Sequence, residues 1–120
     1  MTIPLNSNLE EMFEKYLNII NPMLSAKKLK PLELRVLAKL LYAKYSFKHL
    51  SKKELEKLLF SSQLKKNIRT SVENISEASY NNIILSLRKK EIINNKEITL
   101  IVPIENNKIE LFIIVSLIKQ

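Results

Sequence analysis

The side chains that most often carry chemistry are scarce in this chain: one histidine, His49, no cysteine and no aspartate. A nucleophilic triad needs a thiol or hydroxyl beside a base, a zinc site needs grouped cysteine and histidine, and a phosphate-cradling loop needs glycine, which is also missing. We therefore expect no catalytic residues, no metal ligands, no cofactor and no small-molecule substrate, with His49 solvated or locally bonded between elements. Without thiols no disulfide forms, which fits a reducing compartment. What the chain holds in quantity is lysine. Twenty Lys and Arg residues against 12 acidic ones give a formal net charge of +8, and such a surface draws polyanions through counterion release. Nearly all of these cations are lysine, and asparagine and isoleucine are abundant too, a bias expected of an AT-rich genome, so part of the charge reads as an ordinary solvated face. The chemistry points to a non-enzymatic binding protein.

The elements that must position these groups fit one domain at 120 residues, and 46% hydrophobic residues are enough for a core. Ser7 to Ile20 places Leu9, Met12, Phe13, Tyr16, Leu17 and Ile20 at helical spacing, with Ser7 and Glu10 in capping-box positions and Asn21-Pro22 as its stop. Its three glutamates, Glu10, Glu11 and Glu14, outweigh Lys15, so residues 1–24 read as an acidic amphipathic helix for packing or oligomerisation, and residues 25–120 hold all of the excess positive charge. Pro31 suits the first turn of a helix through Tyr45 that is apolar around most of its circumference and therefore central. Ser51 and Glu54 open a short helix toward Phe60, and Ser61-Ser62 restarts the chain. From Ser62 a helix carries Leu64, Ile68 and Val72; Glu73-Asn74 breaks it, asparagine tolerating the left-handed conformation, and Ser76 caps another helix running to about Lys90. Two strand-forming runs, Glu97 to Ile104 and Lys108 to Ile118, flank Glu105-Asn106-Asn107 as a hairpin. The expected class is mainly α with a C-terminal β-hairpin (α+β). No apolar run reaches the ~18–20 residues of a membrane span and Met1-Thr2-Ile3-Pro4 lacks a basic-then-apolar leader, so we expect a soluble, cytoplasmic chain with no membrane partner.

Residues 62–104 resemble the helix-turn-helix and wing of the winged helix-turn-helix DNA-binding superfamily, on Ile68, Val72, Ile75, Ser76, Tyr80, Ile84, Leu87, Lys90, Ile92 and Ile93. The chain is also similar, faintly, to small winged-helix proteins of tailed phages. The resemblance implies a winged helix-turn-helix with an extra N-terminal amphipathic helix. It departs at two positions: Arg69 stands where the family keeps a small residue, and Glu91 stands where glycine commonly begins the wing. It also implies double-stranded DNA as partner. Asn82 is then the base reader, its amide bonding an adenine edge through two atoms, with Ser76, Ser79 and Asn81 assisting. Lys65, Lys66, Arg69, Arg88, Lys89 and Lys90 would take phosphates. On this reading the protein is a small transcription regulator acting as a homo-oligomer.

The alternative is a structural component of a phage particle, or of another assembly, that uses the same fold for protein contacts; its place would be the host cytoplasm or the virion. Leu85 is a poor occupant of a groove-facing surface and suits a protein contact better. In the final run Leu111, Ile113, Val115 and Leu117 share one face while Phe112, Ile114 and Ile118 share the other, so both faces ask for burial. Either another subunit or neighbouring assembly protein covers Phe112, Ile114 and Ile118, or the acidic N-terminal helix of the same chain does.

Overall fold

A computed structural model of the chain describes residues 2–3, 9–24, 27–100, 102, 104–105 and 108–110. Within them the order is β1 (Thr2–Ile3), α1 (Leu9–Ile20), a 3-10 turn (Asn21–Met23), α2 (Pro31–Ser46), α3 (Lys52–Leu59), α4 (Ser62–Ser71), α5 (Glu77–Lys89), β2 (Ile93–Asn94), β3 (Glu97–Ile98), β4 (Ile104–Glu105) and β5 (Lys108–Glu110). The protein is mainly helical with antiparallel hairpins toward its C-terminal end.

Helix α2 is central because little of its circumference is polar: Leu34, Val36, Leu37, Ala38, Leu40, Leu41 and Ala43 are all buried, and α1, α3, α4 and α5 all pack on it. Pro31 occupies its first turn, where a missing N–H costs nothing. The acidic helix α1 lies on α2 within the same chain. Met12, Phe13, Tyr16, Leu17 and Ile20 are buried in the common core, the Phe13 ring sits 6.3 Å from that of Tyr42 and 6.0 Å from that of Tyr45, and Glu10 pairs with Lys39 at 2.8 Å. After the 3-10 turn the Asn21 amide fastens the returning chain, donating to the Leu29 carbonyl at 3.0 Å and accepting from the Leu29 N–H at 2.7 Å.

Serine opens each of the next three helices, its side-chain oxygen accepting a free N–H of the first turn: Ser51 from Glu54, Ser61 from Leu64 and Ser76 from Ser79. The Ser51 hydroxyl also donates to the Glu54 carboxylate at 2.9 Å. His49 lies exposed in the turn after α2, its ring 6.2 Å from that of Phe47.

Two features of the strands differ from expectation. The run Glu97 to Ile104 is not one strand: Glu97–Ile98 folds back on Ile93–Asn94, pairing Ile93 with Ile98 and Asn94 with Glu97. Ile93 and Ile98 bury inward while Asn95, with a left-handed φ of 59°, and Lys96 make the two-residue turn. The later hairpin is present, with Ile104 opposite Ile109 and Glu105 opposite Lys108, but a further strand joins it: β1 pairs with β5, so the sheet order is β1-β5-β4. Ser7 and the run Leu111 to Ile118, including Phe112, Ile114 and Ile118, lie outside the described residues.

Candidate nucleic-acid interface

The segment from α4 to β3 is built around three turns that force side-chain-bearing residues into the left-handed region, the β2–β3 turn at Asn95 being the last. Between α4 and α5 these are Glu73 (φ 53°) and Asn74 (φ 50°). Such residues crowd their Cβ against the following carbonyl, and the turn is braced from several sides. Val72 is fully buried, the Ile75 N–H donates to the carbonyls of Arg69 and Val72, Arg69 Nε donates to the Ile75 carbonyl at 3.0 Å, and Arg35 reaches Glu73 at 3.4 Å. Arg69 is thus engaged in holding the turn.

The far end of α5 closes as a Schellman motif. The Glu91 N–H donates to Arg88 and the Ile92 N–H to Leu87, with Glu91 itself at φ 60° and Leu87 and Ile92 both buried. The next hairpin is then fastened to the body: the Thr99 N–H and hydroxyl both donate to the Ile92 carbonyl, and Lys44 Nζ donates to the Ile98 carbonyl at 3.2 Å.

Lys90 does not face outward. Its ammonium pairs with Glu33 in the first turn of α2, a carboxylate only 5% exposed that also accepts from the Lys30 N–H at 3.0 Å. Burial alone would raise the pKa of Glu33, but the Lys30 N–H, the Lys90 ammonium and the Ser86 hydroxyl outweigh it and hold the carboxyl below its ordinary value. This pair ties the last residue of the α5 cap to the central helix. Tyr80, in the core face of α5, is pushed up to about 12 by burial.

Tyr80, Ile83 and Leu87 are the buried face of α5; Glu77, Ala78, Ser79, Asn81, Asn82, Leu85, Arg88 and Lys89 are exposed. Asn81 and Asn82 thus stand together on the outward side, while the hydroxyls of Ser76 and Ser79 are bonded to each other at the helix start, 3.0 Å apart. Of the cations, Lys65 pairs with Glu77 at 3.4 Å and Arg88 lies over the Phe60 ring, 5.8 Å from its centroid. Lys66 and Lys89 are exposed and form no ion pair among the described residues. Phe60, Asn81, Ile84, Leu85 and Arg88 line a groove of about 430 Å³ between the α3–α4 junction and α5. Lys96, at the exposed tip of the β2–β3 hairpin, is a further cation that sequence reasoning passed over. The available signal was asparagine followed by a polar residue between Ile93 and Ile98.

Among the described residues no helix is long and apolar enough to cross a membrane, and no group of three or more potential metal ligands is present. No protein-family model matches the chain, and no curated protein and no solved structure matches it either.

Proposed function

We propose that residues 62–98 act as a winged helix-turn-helix that binds double-stranded DNA without catalysis, α5 lying in the major groove and the β2–β3 turn serving as the wing. One observation carries this reading: the outward side of α5 presents two adjacent amides, Asn81 and Asn82, with Arg88 and Lys89 in its last turn and an exposed Lys66 on α4, and no described carboxylate is paired to Lys66 or Lys89. Asparagine amides match an adenine edge, and unneutralised cations match phosphates. The order of α4, turn, α5 and immediate hairpin supports it. On this reading the phosphate contacts are Lys66, Arg88, Lys89 and Lys96, whereas Arg69 and Lys90 serve the fold.

The test is duplex binding by fluorescence anisotropy across a salt series. Affinity falls steeply with salt, Lys89→Met weakens all sequences alike and lowers the logarithmic salt slope by about one, and Asn82→Ala relaxes base preference. No binding at low salt ends the proposal.

A second reading also has an observation of its own. Leu85 is 51% exposed and, with Phe60 and Ile84, lines the groove beside α5, as a contact in a homo-oligomer or larger assembly requires. Light scattering at high protein concentration decides it: a clean monomer ends the homo-oligomer.

A further inference from the structure

We infer that α5 selects A·T-rich duplex and does so partly through the thymine methyl groups, with Leu85 and Ala78 as the contacting residues; this rests on the DNA reading above. The argument begins with the helix geometry. At 3.6 residues per turn successive side chains are about 100° apart, so with Tyr80, Ile83 and Leu87 buried the two positions most nearly opposite the core are 78 and 85. Ala78 and Leu85 are both exposed there. Asn82 and Lys89 flank them on one side, Asn81 and Arg88 on the other.

The major groove asks for different chemistry at each base. Guanine offers two acceptors and is met by Arg or Lys; cytosine offers a donor and is met by a carboxylate; adenine is met by Asn or Gln; thymine is the one base that adds an apolar group, its C5 methyl. The centre of the α5 face, Ala78, Asn81, Asn82 and Leu85, contains an answer to adenine and to thymine and none to guanine or cytosine. The single carboxylate of this helix, Glu77, is held by Lys65. Arg88 and Lys89 occupy the last turn, beyond the central four. An isobutyl group exposed at the middle of a groove-facing helix is a mismatch for phosphate or for a polar base edge, and a match for a row of methyl groups.

The experiment uses the whole protein and a labelled alternating dA·dT duplex of about 20 base pairs at low salt. Competitors are the same duplex with deoxyuridine for thymidine, which deletes only the C5 methyl, and an alternating dG·dC duplex. We expect the uridine duplex to compete about threefold to fivefold less well per methyl engaged, and the dG·dC duplex to compete at least about tenfold less well. Leu85→Ala, whose folding is checked by circular dichroism, should weaken the thymidine duplex by a similar factor and reduce the difference between thymidine and uridine to what Ala78 supplies. Equal competition by the thymidine and uridine duplexes overturns the inference while leaving DNA binding intact. A Leu85→Ala variant that binds both duplexes as the parent does, but loses self-association, overturns it in favour of the protein contact. Absence of binding to any duplex at low salt removes both this inference and the reading beneath it.

Discussion

The contact between Glu33 and Lys90 joins residues 57 apart in the chain, and its removal tests whether α5 is held from α2. Glu33→Gln keeps the size of the side chain and an oxygen for the Lys30 N–H, but leaves the Lys90 ammonium, whose side chain is 18% exposed, facing a neutral amide. Breaking a fully buried pair costs about 3–5 kcal/mol. The residual solvent access of Lys90 brings the expected loss to about 2–3 kcal/mol. Lys90→Met leaves the carboxylate with the Lys30 N–H and the Ser86 hydroxyl, so about 2 kcal/mol is expected. With both replacements neither charge remains buried, and the double variant should lie within about 1 kcal/mol of the parent. Urea denaturation followed by far-UV circular dichroism at pH 7 measures all four proteins, and the cycle yields a coupling of about 3–6 kcal/mol. The pH dependence gives an independent check. The folded pKa of Glu33 is lowered from 4.5, so its contribution is complete above that value and is lost as pH falls through the folded one. The parent should therefore lose stability on acidification more steeply than Glu33→Gln. Additive single costs, or a Glu33→Gln protein as stable as the parent with the same acid profile, would refute the reasoning. Because Lys90 faces Glu33, Lys90→Met should also leave the duplex affinity of the folded protein close to that of the parent.

Three other outcomes are expected. Glu91→Gly relieves a left-handed residue whose ion pair with Lys27, at 3.8 Å, is exposed; it should raise stability by about 0.5–1 kcal/mol in thermal melts, while Glu91→Ala, which keeps a Cβ, should not. Ser76→Ala removes the oxygen that accepts the Ser79 N–H and should cost about 1 kcal/mol, measured by the same denaturation. In an absorbance titration of the folded protein the Tyr80 phenol should ionise only near pH 12. Since that value lies above the ordinary 10.0, the unfolded chain gives up its proton first, and stability should fall as pH rises past about 10.

What could be read from the sequence was local. Serine before a helical stretch is a complete instruction within four residues, and Ser51 and Ser76 cap where their spacing says they should. Asn74 is left-handed for the reason asparagine tolerates that region, although Glu73 beside it does the same with no such aptitude, held by Arg35 and the bonds across the turn. Tyr80 and Leu87 lie on the buried face of α5 as the resemblance implied, but Ile83 is buried there while the matched Ile84 is only half-buried. Contacts that span the chain were not legible. Nothing near Thr2 and Ile3 says that they pair with Glu110 and Ile109, and two residues are too few to show an alternating pattern. The β2–β3 hairpin escaped for the same reason, since Glu97 and Ile98 read equally well as the beginning of a longer strand. For the candidate site, the helix-turn-helix resemblance put the two amides on the outward side, but it could not give the state of each cation. Whether a lysine meets solvent or a buried glutamate depends on an element half a chain away, as Lys90 shows.

The central position of α2 bears on how this protein comes into being. Its apolar circumference is covered on one side by α1, which precedes it, and on others by α3, α4 and α5, which follow. A ribosome making the chain from its N-terminal end delivers α1 and α2 before α5, and the surface of α2 on which α5 packs stays bare until α5 has emerged. For that interval the newborn polypeptide carries a sticky helix without its last cover. Interruption of synthesis shortly before residue 77 would yield fragments prone to clump or to be captured by chaperones.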